Sequence, residues 1–188
     1  AFAYKTTAEL KKAHFLFSSM AKPWLVNLAL KILPSAIRWN LPFTKKIIQH
    51  TIFKQFVGGE TLDETALVAD KLEKYNVQVI LDYGVEGGND GEPGFDASTE
   101  EFIKVINYAA TQANIPFISI KVTGLARFGL LEKLDASMNI GSGTLMKRYI
   151  NAVEGLSNTE KEEWHNVRSR LLKICDIAAK KNVGVLVD

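Results

Sequence analysis

Three short runs rich in β-branched residues interrupt a chain whose apolar residues otherwise recur at helical spacing. The runs are predicted to be strands at 77–83, 115–122 and 183–188. Apolar residues at every third or fourth position before each run predict a helix there. Helices that alternate with near-continuously apolar strands are typical of crossover units with parallel strands. The pattern therefore predicts an α/β protein with a parallel sheet.

The starts of these helices are marked by a hydroxyl residue with a glutamate three positions later. The pairs are Thr61 with Glu64, Ser98 with Glu101, and Ser157 with Glu160. In such a capping box the hydroxyl and the carboxylate each bind a backbone N–H of the other residue. The polar stretch at 84–94 contains five glycines and is predicted to be a loop before the second helix.

Two architectures fit a parallel sheet, the open doubly wound sheet and the closed (β/α)8 barrel. No glycine-rich phosphate-binding turn follows any of the predicted strands, and Gly141-Ser-Gly143 lacks both a preceding strand and a third glycine. We therefore favour the barrel. Three strands are too few for a barrel of roughly 250 residues. We expect an incomplete barrel, the first three βα units of a longer protein, whose open sheet edge favours self-association of this segment.

Charge divides the chain into two parts. Residues 1–55 contain nine Lys or Arg and one acidic residue, whereas residues 56–188 contain fourteen basic and twenty acidic residues. We interpret 1–55 as a basic helical arm and 56–188 as the N-terminal part of the barrel. Three prolines are predicted to break the helices of the arm: Pro23, Pro34 and Pro42.

The basic arm has two interpretations. Its apolar stripe at helical spacing (Trp24, Leu25, Leu28 and Ile32) favours a solvated arm that packs on the rest of the protein. Clustered basic residues beside aromatic ones also suit an anionic membrane surface or an acidic partner. Nucleic acid is not expected, because the basic residues are dispersed among bulky apolar ones without a recognised binding motif.

Composition excludes several classes of protein. No run approaches about 18 uninterrupted apolar residues, so no transmembrane helix is predicted. No metal site is predicted, because the chain has one cysteine and three widely separated histidines. No signal-peptide pattern precedes the arm, and we expect a cytoplasmic protein with possible peripheral contact at the inner membrane face.

Each predicted strand ends in a charged residue on the same face. Side chains alternate along a strand, so Asp82, Lys121 and Asp188 occupy equivalent positions at the three carboxyl ends. Active sites of (β/α)8 barrels are built at this end of the strands. Lys121 could bind an anionic substrate group, and either aspartate could orient that lysine or bind a substrate cation. The alternative is an exposed ion-pair cluster at the rim of the sheet, without a role in binding.

Four stretches of the sequence resemble the proline dehydrogenase family. They are Phe56-Val-Gly-Gly-Glu-Thr61, Leu81-Asp-Tyr-Gly-Val-Glu86, Ser119-Ile-Lys-Val-Thr-Gly-Leu-Ala-Arg-Phe128 and Val185-Leu-Val-Asp188. The last is similar to the start of the family's aspartate–alanine–glutamate motif, and the arm resembles that of the single-activity members. The resemblance implies an FAD-dependent (β/α)8 barrel that oxidises L-proline to pyrroline-5-carboxylate, with a quinone as electron acceptor.

The resemblance also implies roles for particular residues. Lys121 matches the lysine that contacts the substrate carboxylate, and Asp188 matches an active-site aspartate. Asp82 matches a residue of the substrate pocket. Val187 matches the residue whose backbone lies against the flavin. Most FAD-binding residues are expected beyond residue 188, so this segment alone is expected to be inactive.

Three alternatives to proline oxidation stay open at this point. A hydroxyproline dehydrogenase of the same family would share these strands. A barrel-strand lysine beside aspartates, here Lys121, is also how Schiff-base lyases are built. A helical arm with a partial barrel could serve only as a non-enzymatic interaction module.

Overall fold

Helices make up most of the chain, and a small sheet of three parallel strands completes it. The computed structural model describes residues 2–84 and 91–188. The chain is a mixed α/β protein. It divides into a first unit that ends at Val77 and a second unit, Gln78–Asp188. This division follows the contacts between residues, whereas the predicted division after residue 55 follows the change in charge.

The described residues of the first unit form helices and the turns between them. Its helices are α1 (Thr7–Met20), α2 (Pro23–Arg38), α3 (Thr44–Ile48), a π-helical turn (Gln49–Phe53), α4 (Lys54–Phe56) and α5 (Leu62–Glu73). The prediction that Pro34 breaks a helix is wrong, because α2 continues through it to Arg38. Pro23 begins α2, where its missing N–H would have no helical partner in any case.

The apolar stripe of α2 is not buried, contrary to the packed arm that its spacing favours. The side chains of Trp24, Leu28 and Ile32 are exposed, and Ala36 is the buried residue of this helix. Periodicity indicates which residues share a face of a helix, and it does not indicate whether another element covers that face. The first unit therefore presents apolar surface beside its basic residues.

The second unit carries the sheet. Its elements are β1 (Ile80–Asp82), α6 (Gly91–Ala109), β2 (Phe117–Ile120), a 3₁₀ turn (Val122–Gly124), α7 (Phe128–Ile140), α8 (Leu145–Glu154), α9 (Asn158–Lys181) and β3 (Gly184–Val187). The strands lie in the order β1-β2-β3 and run parallel. The register pairs Asp82 with Ser119 and Ser119 with Leu186. The predicted parallel sheet is confirmed, with strands shorter than the apolar runs.

One face of the sheet lies largely under helices, and the other is more exposed. Leu81, Ile118 and Ile120 are buried, and α6 contacts β2 while α9 contacts β3. Phe102 of α6 and Ile174 of α9 are fully buried in the core of this unit. The alternation predicted along the strands therefore holds for the face that lies under the helices.

Two of the three predicted helix starts are confirmed. The Thr61 hydroxyl accepts from the Glu64 N–H, and Ser157 and Glu160 form a complete capping box. The start predicted at Ser98 is wrong, because α6 begins at Gly91, inside the predicted glycine loop. The Ser98 hydroxyl instead donates to the carbonyl oxygen of Gly94, one turn earlier in the same helix. The rest of that loop prediction, at 85–90, and the Val85 and Glu86 positions of the second family stretch lie outside the described residues.

None of the helices described in residues 2–84 and 91–188 is both long enough and apolar enough to cross a membrane.

Candidate active site

The three charged residues predicted at the strand ends meet at one edge of the sheet. The Lys121 Nζ atom lies 3.0 Å from Asp188 Oδ2, to which it donates a hydrogen bond, and 3.8 Å from Asp82 Oδ2. Asp82 is the last residue of β1, while Lys121 and Asp188 directly follow β2 and β3. The alternation of side chains along the predicted strands therefore predicted that these three residues lie close together.

Backbone hydrogen bonds fix Lys121 and Asp188 side by side. The Asp188 N–H donates to the Ile120 carbonyl oxygen at 2.9 Å, and the Val122 N–H donates to the Asp188 carbonyl oxygen at 3.3 Å. These bonds continue the parallel pairing of β2 and β3 beyond the last strand residues. On the other side of Lys121, its carbonyl oxygen accepts from the Gly124 N–H at 3.0 Å, which closes the 3₁₀ turn.

The site combines one half-buried cation with two more exposed anions. The side chain of Lys121 is 26% exposed, while those of Asp82 and Asp188 are 53% and 74% exposed. An ammonium held at this position could donate charge-assisted hydrogen bonds to a substrate carboxylate.

The exposed face of the sheet continues from the charged cluster into an apolar surface. Ile80, Phe117 and Leu186 are exposed on this face, and the Phe117 ring lies over Gly184. Val187, predicted to contact a cofactor, ends β3 in register with Ile120, on the opposite face of the sheet, and its side chain is exposed. An apolar face beside a few convergent polar groups has the composition of a small-molecule site.

Sequence reasoning missed a second charged cluster, centred on Arg170 in α9. Its guanidinium donates to Asp96 Oδ1 at 2.7 Å, to Glu92 Oε2 at 2.6 Å and to the Leu125 carbonyl oxygen at 3.2 Å. The side chain is only 7% exposed. Burial by itself would lower the pKa of Arg170, but the hydrogen bonds to Glu92 and Asp96 outweigh it and raise that pKa.

A signal for this cluster is present in the sequence. Arg170 falls three residues after Val167 and four before Ile174, on the apolar stripe of α9. A charged residue inside an apolar stripe is rarely buried without partners, and its partners here lie more than seventy residues earlier in the chain. The stripe could have indicated Arg170, but not Glu92 or Asp96.

Three curated relatives share similarity with most or all of the chain. "Proline dehydrogenase 1, mitochondrial" of Dictyostelium discoideum is 29% identical over 163 residues, 75% of this chain and 28% of that protein. "Carbapenem antibiotics biosynthesis protein CarD" of Pectobacterium carotovorum is 29% identical over 133 residues, 71% of this chain and 31% of that protein. "Hydroxyproline dehydrogenase" of Xenopus laevis is 23% identical over 209 residues, 100% of this chain and 43% of that protein. No family model matches the chain.

The fold and the site define an α/β protein with a lysine held between two aspartates at the carboxyl ends of parallel strands. The similarity to relatives named proline dehydrogenase and hydroxyproline dehydrogenase supports membership of the proline dehydrogenase family. It spans between about a quarter and less than half of the length of these relatives.

Proposed function

We propose that this chain forms the first three βα units of a (β/α)8 barrel that oxidises L-proline to pyrroline-5-carboxylate. The observation that carries the proposal is the position of Lys121 between Asp188 and Asp82 at the carboxyl ends of adjacent strands. The names of the Dictyostelium and Xenopus relatives support a proline-like substrate. The remaining strands of the barrel would follow residue 188.

In this proposal the charged residues bind and orient the substrate. Proline carries one carboxylate and one ring ammonium. Lys121 binds the carboxylate by charge-assisted hydrogen bonds. Asp188 holds Lys121 in place through the 3.0 Å hydrogen bond, and Asp82 adds a second negative charge that can attract the substrate ammonium.

FAD is the cofactor that the family resemblance implies, and the accessible end of β3 is compatible with it. The side chain of Val187 is exposed at the carboxyl end of β3, directly before Asp188 of the charged cluster. Val187 is the residue of this chain that would contact the flavin, as proposed from its motif. The chemistry that FAD supplies when bound is acceptance of a hydride from the substrate. Most other contacts would come from beyond residue 188.

The proposal is tested by steady-state kinetics of proline oxidation in the full-length protein, comparing wild type with Lys121→Met. Loss of a charge-assisted hydrogen bond to an anion should cost about 1.5–3 kcal/mol, or roughly one to two decades in kcat/KM. Lys104→Met is the matched control, because Lys104 pairs with Glu101 on the exposed surface of α6. An unchanged kcat/KM in Lys121→Met would contradict the assignment.

The hydroxyproline dehydrogenase alternative is favoured by one specific observation, the name of the Xenopus relative. The same assay with hydroxyproline as substrate distinguishes the two, since the preferred ring has the higher kcat/KM. The Schiff-base alternative predicts that borohydride with a carbonyl substrate traps a covalent adduct on Lys121. Absence of that adduct, with activity on proline, excludes it.

A quinone acceptor and peripheral membrane contact belong to the same proposal. A quinone resides in lipid, and the first unit exposes aromatic side chains beside basic residues, among them Trp39 and Phe43 near Lys45 and Lys46. We propose that this surface brings the enzyme to an anionic membrane, in a cytoplasmic or inner-membrane-associated location. The Dictyostelium relative is named as mitochondrial.

A further inference from the structure

The buried Arg170 joins three segments that are far apart in the sequence. It projects from α9, ion-pairs with Glu92 and Asp96 in the first turns of α6, and donates to the carbonyl oxygen of Leu125 after β2. Its guanidinium also lies over the Phe95 ring, 5.5 Å from the ring centre. Asn166, one turn earlier in α9, donates to the same Glu92 carboxylate at 2.9 Å.

The Leu125 contact connects Arg170 to Lys121 through the backbone. The Leu125 N–H donates to the Val122 carbonyl oxygen at 2.9 Å, and the Gly124 N–H donates to the Lys121 carbonyl oxygen at 3.0 Å. The turn that begins at Lys121 is therefore anchored at its far end by the guanidinium of Arg170. Because α9 leads directly into β3, the same side chain ties this turn to the helix that precedes Asp188.

Stability alone does not account for such a cluster. Replacing a buried ion pair by apolar residues is often neutral or stabilising, since the charges lose hydration on burial. A planar fork of donors instead fixes several acceptors in one geometry, which a single ammonium cannot do. Arg170 therefore fixes the position of the segment that carries Lys121.

We propose that Arg170 is a positioning residue that holds the turn after β2 so that Lys121 meets the substrate carboxylate. The effect of Arg170 on substrate binding rests on the proposed function, whereas its anchoring of the turn does not. We expect Arg170→Met to fold, because the side chains of Glu92 and Asp96 are 40% and 69% exposed, so their carboxylates stay hydrated without this partner.

The anchoring is tested by amide hydrogen exchange on the 188-residue chain. In Arg170→Met the amides of Gly124 and Leu125 should exchange about tenfold faster than in wild type, because the turn opens locally. Lys173→Met is the matched control, since Lys173 pairs with Glu100 across the same two helices without contacting the turn. Unchanged exchange in Arg170→Met, or an equal change in Lys173→Met, would overturn the proposal. If Arg170→Met does not fold, Arg170→Lys is judged by the same comparison, because lysine lacks the fork of donors.

Kinetics in the full-length protein separates positioning from a general structural effect. Misplacing Lys121 removes binding shared by the ground state and the transition state, so KM for proline should rise about tenfold while kcat changes less. A fall in kcat with KM unchanged, or no change in either, would contradict a positioning role. If wild type does not oxidise proline, the proposed function fails, and the exchange experiment still decides whether Arg170 anchors the turn.

Discussion

Gly59, in the first of the stretches that resemble the family, lies too close to the following helix to carry a side chain. A Cβ atom there would lie 2.7 Å from the Glu64 Cβ and 2.8 Å from the Thr65 backbone nitrogen. These atoms belong to the first turn of α5, which the Thr61 cap and a hydrogen bond from the Glu60 N–H to the Glu64 carboxylate hold in place. The turn cannot move without losing these bonds, so the close approach requires glycine.

We predict that Gly59→Ala lowers the free energy of unfolding by about 1–3 kcal/mol, the cost of overpacking a fixed site. Gly58→Ala is the matched control, because a Cβ at Gly58 meets only the Thr65 methyl at 3.7 Å, an ordinary contact. Gly58→Ala should leave the free energy of unfolding unchanged or raise it slightly, because alanine lowers the conformational entropy of the unfolded chain. Urea denaturation of both variants measures the difference, and equal midpoints would contradict the steric argument.

The candidate site could be predicted at this scale only where the residues obey a local rule. Alternation along strands placed Asp82, Lys121 and Asp188 on one face, and parallel pairing then brought their ends together. No such rule links Arg170 to Asp96, because that contact depends on how two helices pack across a long sequence separation. Local periodicity therefore predicts which residues share a face of a strand, but not which residues of two distant helices contact each other.

At the scale of elements, caps were predictable where the cap residue has no competing partner. Ser157 begins α9 as the motif requires, whereas Ser98 lies inside α6 because the first turns of that helix are held by contacts from α9. The start of α6 at Gly91 is stabilised by Arg170 and Asn166, which bind Glu92 in its first turn. Tertiary contacts thus extend the helix toward the N-terminus, past its local start signal at Ser98.

The start of α9 should make stability depend on pH. The hydrogen bond from Lys133 and the bonds from the backbone and side chain of Ser157 lower the pKa of Glu160 to about 2 from 4.5. A carboxyl whose pKa is lower in the folded state stabilises the fold above its unfolded pKa. That contribution is lost as the pH falls from 4.5 through about 2.

We therefore predict that Glu160→Gln loses less stability than wild type between pH 5 and pH 2.5, a range that brackets most of this titration. Thermal unfolding at both pH values measures this difference. The matched control is Glu162→Gln, an exposed glutamate of the same helix outside the capping box. If the two variants show the same pH dependence, the Glu160 contacts do not contribute to it.

At the scale of the whole molecule, the sequence predicts the exposed surfaces least well. The α/β class followed from the alternation of helices and strands, and the parallel sheet confirms it. No local pattern of the sequence specifies what covers the exposed apolar face of the sheet. Among the described strands β3 pairs with β2 alone, so its other edge is available to a second copy, and self-association of the segment stays a prediction.

The exposed arm surface leads to a prediction about membranes. At the turn between α2 and α3, Trp39 and Phe43 are exposed beside Lys45 and Lys46, which are also exposed. Aromatic side chains enter the interface between headgroups and acyl chains, and each basic residue near an anionic surface contributes about 1 kcal/mol. Replacing both lysines by glutamate should therefore lower binding to anionic vesicles by at least about tenfold at low salt.

Co-sedimentation of the full-length protein with vesicles of phosphatidylserine and phosphatidylcholine tests this. The control replaces Lys180 and Lys181, an exposed basic pair at the end of α9, by glutamate, which changes net charge equally. Electrostatic docking through the arm predicts that only the first variant loses binding and that high salt weakens wild type. Equal sedimentation of the two variants at low salt would mean that net charge, and not the aromatic turn of the arm, attracts the protein to lipid.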